Sequence, residues 1–100
     1  MGCASQVRYY AKNVTAFQHE VVVRLIDAEF DMIEDDPRME KLWDLEENLN
    51  KECGPLQKAT RLKLDQQEVP RDLGYEVAIT LKDCEKAVFK LDNALRRYGY

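Results

Sequence analysis

From Val7 onward apolar residues recur at steps of three and four. Val7, Tyr10, Val14, Phe17, Val21, Leu25, Ala28 and Met32 form one such row, the spacing that lines a single face of an α-helix. The pattern predicts a first helix from about Ala4 to Ile33. A second row follows at once in Met39, Leu42, Leu45, Leu49 and Cys53, with Trp43 at its edge. Between the two rows lies Asp35-Asp36-Pro37, where the chain must fold back. Asp36 is suited to accept bonds from the open N–H groups of the next turn. Pro37 suits the first helical position, where its missing N–H costs nothing.

Gly54-Pro55 then offers a left-handed cap and a residue with no N–H to continue the ladder. Leu56 and Ala59 nevertheless stay in phase with Leu42, Leu45 and Leu49. That favours one kinked helix from Pro37 to about Glu68 over a reversal at Gly54. The weakest stretch is 57–68, where Leu62 and Leu64 point different ways among charged and amide side chains. After Val69-Pro70 a third row runs through Leu73, Val77, Leu81, Cys84, Val88, Leu91, Leu95 and Tyr98. The expected fold is all-α, a single domain over residues 1–100. Its expected architecture is an antiparallel up-down-up three-helix bundle with a kinked middle helix. The alternative splits the middle at Gly54-Pro55 and makes four helices.

These rows do not use all the apolar residues. In the second half of the first helix, Val22, Ile26, Phe30 and Ile33 widen the apolar arc to about 220°, more than two neighbours would cover. Tyr75, Ile79 and Phe89 fall on the far side of the last helix, with Lys82 and Lys86 on the same row. Together with Trp43, these residues are the expected partner-binding surface, since aromatic anchors are common at interfaces. A homodimer, or the docking of a partner helix, would bury them. Glu29 falls inside the widened arc, where a carboxylate could be held in partly apolar surroundings with its pKa raised.

Composition narrows the function classes. The chain is 45% hydrophobic and 34% charged, outside the ranges of disordered and membrane-spanning proteins. A net charge of −4 argues against nucleic acid, which needs a basic face. The charge is uneven: residues 27–52 hold eleven acids and three bases, net −8, leaving +4 on the rest. Such polarity can steer a partner or a second copy. Cys3, Cys53 and Cys84 are an odd number in a chain with no secretory apolar stretch, so reduced thiols and a cytoplasmic setting are expected. Cys84 lies on a core row and should pack as a small hydrophobe. Membrane attachment would require acylation at Gly2 and Cys3, and the myristoylation pattern wants Ser or Thr where Gln6 stands.

Recognisable reaction chemistry is missing. His19-Glu20 begins like a zinc-protease helix, but Val23 occupies the second ligand position. No Glu-x-x-His pair for a di-iron centre occurs. A calcium loop starting at Asp27 would need Gly at Met32 and an acid at Arg38. Glu46-Glu47 and Asp83 miss the spacing of the paired acidic motifs of all-helical nucleotide pyrophosphohydrolases. Leu81-Lys82-Asp83-Cys84 resembles one helix of plant invertase and pectin-methylesterase inhibitors over a short stretch, without the tyrosine that usually follows; no residue role is carried over. No cofactor, metal or catalytic residue is therefore assigned. The expected function is a non-catalytic helical protein–protein interaction module. The alternative is a small all-helical enzyme or ligand carrier with an inter-helix pocket around Glu29.

Overall fold

A computed structural model describes residues 2–100, with side chains from Gln6 onward; the acylation reading at Gly2 and Cys3 lies outside the described side chains. The chain is all-α. It forms α1 (Gly2–Asp31), α2 (Pro37–Glu52), α3 (Gly54–Leu64) and α4 (Arg71–Arg97), with no strand among the described residues.

The elbow forms as its residues dictate. The Asp36 side chain accepts from the Arg38 N–H at 2.9 Å, and Pro37 opens α2. Arg38 also folds its guanidinium back onto the Asp36 carboxylate at 2.6 Å, which holds that carboxyl below its usual range.

Four helices stand where one kinked middle helix was favoured. The interruption is Cys53, with φ −94° and ψ 6°. Its N–H still reaches the Leu49 carbonyl at 2.8 Å, and the ladder resumes when Gln57 N–H donates to the Cys53 carbonyl at 2.9 Å. Pro55 has no N–H to offer in between. Helical phase survives the break, since Leu49, Cys53, Leu56 and Ala59 are all buried. The third stretch ends at Leu64, short of the expected Glu68. There Gln66 turns left-handed, φ 58°, and the N–H groups of Gln66 and Gln67 close onto Lys63 and Leu62. Such a cap satisfies the last carbonyls but normally favours glycine.

α4 is the hub. Leu73, Val77, Leu81, Cys84, Val88, Leu91 and Leu95 are buried along it as the row predicts. α1, α2 and α3 all pack mainly against it and only sparsely on one another. Contacts fix the directions. Tyr10 meets Glu85, Phe17 meets Phe89 and Arg24 meets Asp92, so α1 runs along α4 in the same sense. Arg38 lies over the Tyr98 ring and Cys53 joins Cys84, so α2 runs the opposite way. Tyr10 donates to Glu85 Oε1 at 2.6 Å. That bond, then partial burial and the carboxylate's charge, pushes the phenol pKa up to about 12.

One expectation is corrected here. Cys53 and Cys84 were read as reduced thiols, and they form a disulfide with Cα atoms 4.6 Å apart. A separation of 31 residues gave no hint of the pairing; it arises because the middle arm returns along α4. Gly74 lies early in α4, and a Cβ there would meet nothing within 4 Å. It is left with only the entropic cost of glycine inside a helix.

Candidate interaction site

The eight residues expected to bind a partner divide between two faces. The first is the elbow. α1 delivers Phe30 at 85% exposure, with Ile26 half-exposed one turn earlier, and Ile33 follows in the connector at 82%. Across from them α2 presents Trp43, half-exposed. Ile33 and Trp43 line one open groove of about 540 Å³, floored by Met32 and Met39. Its walls also carry Glu29, Glu34, Asp35, Asp36 and Glu40. The apolar floor is set by helical spacing, while the acids follow from the charge run through the elbow. Val22, expected on this face, is only partly exposed; Val23 beside it is the more exposed residue.

The second face is the back of α4. Tyr75 and Ile79 are 69% and 62% exposed. They stand one turn apart, with Lys82 and Lys86 continuing the row, and both lysines are exposed. Phe89 does not belong to it as fully as expected. Its ring lies edge-on to Phe17, centroids 4.9 Å apart at 66°, so part of its surface is already used within the chain.

Glu29 is exposed, not enclosed. The carboxylate whose environment is unusual is Glu46, on the facing side of α2. Partial burial, and then the charge of Glu29, raise its pKa. Sequence spacing places Glu46 near the edge of the buried row but cannot show that Glu29 faces it. A raised folded-state pKa means that the contribution of Glu46 is fully present below its unfolded value and is lost as pH rises through the folded value. Glu46→Gln is therefore expected to stabilise the fold only slightly at neutral pH, by a few tenths of a kcal/mol at most because solvent screens so accessible a charge. The gain should vanish below about pH 4, where carboxylates are protonated in both states. Urea midpoints at the two pH values check this.

Another polar cluster was missed altogether. Asp92 sits on the buried side of α4 at 2% exposure. Arg24 Nη1 meets its Oδ1 at 2.6 Å and Arg96 Nε at 3.2 Å. Arg24 Nε also donates to the Tyr100 backbone oxygen at 2.9 Å. Gly99 makes that possible. With φ 89° it lets its own N–H reach the Arg96 carbonyl and that of Tyr100 reach Leu95, the closure typical of a left-handed helix cap. Among the described residues no buried side-chain nitrogen or oxygen lacks a partner. The only signal in the sequence was an aspartate at a core-facing position with an arginine on the core edge of α1.

Among the described residues no three ligating side chains converge to hold a metal ion, and no helix is long and apolar enough to cross a membrane. The fold and its surfaces thus define an all-α protein of four helices organised on the last one. The chain matches no family model, no curated protein and no solved structure.

Proposed function

We propose that this is a non-catalytic helical interaction module. It associates with another helical surface, its own or a partner's, through apolar side chains that lie outside its core. In this reading α2 and α3 act as one kinked arm of an up-down-up bundle, which holds the elbow groove and the back of α4 rigidly apart. The observation that carries it is the exposure of Ile33 and Trp43 within one open groove, with Phe30 exposed three residues before Ile33. Single exposed apolar residues are ordinary, whereas contiguous ones rimmed by charge mark contact surfaces.

The ligand-carrier alternative would require an enclosed cavity around Glu29. The groove is open and Glu29 stands in solvent on its wall, so no observation favours that reading. The expected cytoplasmic setting would require Cys53 and Cys84 to stay reduced, and the bond between them fits an oxidising compartment better.

Tyr75→Ser with Ile79→Asp should leave the circular dichroism of the helices unchanged and lower the mass found by sedimentation equilibrium. An unchanged associated mass would remove the back of α4 from the interface. A wild-type protein that stays monomeric at every concentration would remove self-association.

A further inference from the structure

We propose that the acid-rimmed elbow groove receives the back of α4 from a second copy of this chain, so that copies join head to tail through two different faces. This rests on the interaction-module reading and names its partner.

The charges left over choose the pairing. Glu29, Glu34, Asp35 and Glu40 around the groove make no ion pair among the described residues, and neither do Lys82 and Lys86 on α4. Both faces carry apolar side chains of matching kind: Phe30, Ile33 and Trp43 on the elbow, Tyr75 and Ile79 on α4. Elbow against elbow would press two sets of carboxylates together. Back against back would do the same with lysines. Like charges placed across an interface repel and select against that pairing. Only the mixed pairing brings the unspent acids to the unspent lysines while covering apolar surface on both sides.

The placement of the two faces sets the outcome. The groove lies between α1 and α2, whereas Tyr75, Ile79, Lys82 and Lys86 follow one row on the side of α4 away from its buried Leu73, Val77, Leu81 and Cys84. One copy can therefore use both faces at once, on two different neighbours. A contact between unlike faces that does not close on itself propagates.

Two variants test this by sedimentation at low ionic strength. Ile33→Asp with Trp43→Asp disables the groove; Ile79→Asp with Lys82→Glu and Lys86→Glu disables the back. The wild-type mass should grow with concentration beyond two copies, and added salt should weaken the association several-fold as the charges are screened. Each variant alone should be monomeric. Their equimolar mixture should form a one-to-one dimer and stop there, because it retains one intact groove and one intact back. A wild-type protein that stops at a closed dimer, together with a mixture that stays monomeric, would overturn the head-to-tail pairing and leave the interaction-module reading standing. A wild-type protein that never leaves the monomer would overturn both.

Discussion

Arg24→Met is expected to cost about 3 kcal/mol of folding stability, the lower end of the range for stranding one member of a buried ion pair. The residue that suffers is Asp92, nearly fully enclosed, which would keep only the largely exposed Arg96 at 3.2 Å. The loss also includes the bond from Arg24 to the Tyr100 backbone oxygen. Replacing both partners tells burial from pairing. Arg24→Met with Asp92→Leu removes the charge that would be left uncompensated and should recover most of the loss, since apolar substitution of a whole buried pair is often neutral or better. Urea denaturation of the two variants measures the difference. A single variant that unfolds at the wild-type midpoint would show that the cluster contributes no net stability.

The second large effect concerns Cys53 and Cys84. Their separation of 31 residues gives a loop whose closure restricts the unfolded chain by about 3–4 kcal/mol on the chain-entropy estimate. Protein unfolded in reductant and allowed to refold should therefore show a melting temperature lower by roughly 12–32 °C, at about 4–8 °C per kcal/mol for a domain of this size. The denaturant slope should also steepen, because an uncrosslinked unfolded chain exposes more surface. Both sulfurs are inaccessible, each cysteine being at 0% exposure, so reduction of the folded protein should be slow. Identical midpoints and slopes with and without reductant would contradict the bond.

Much of the helical frame was readable because it depends on period and punctuation. The row from Leu73 to Leu95 is buried throughout as its spacing requires, and the rows ending at Met32 and beginning at Met39 are buried except for Val7, Tyr10, Phe17 and Leu45, which are partly buried. Asp36-Pro37 caps α2 by chemistry intrinsic to those two residues. The break at Cys53 was harder to place, since Leu56 and Ala59 hold their phase through it, and phase alone cannot distinguish a bend from an end. The early stop at Leu64 depends on Gln66 accepting a left-handed backbone, which its residue type does not announce. Pairings across helices were not legible at all. Cys53 with Cys84, Arg24 with Asp92 and Phe17 with Phe89 depend on how one helix is rotated and slid along another. The surface followed the same division. Phe30, Ile33 and Ile79 stand outside the core as the surplus of apolar positions implied, while Phe89 is partly taken up by a neighbour that only the packing reveals.

The central position of α4 has a consequence for how the molecule comes apart. α1 touches little besides α4, whereas the middle arm is tied to α4 by a covalent bond as well as by packing. Lifting α1 away sacrifices one seam; dislodging α4 dissolves every seam together. The first helix is thus the element that can open as a cooperative unit by itself, and Tyr10 and Arg24 are the two latches that must release before it does.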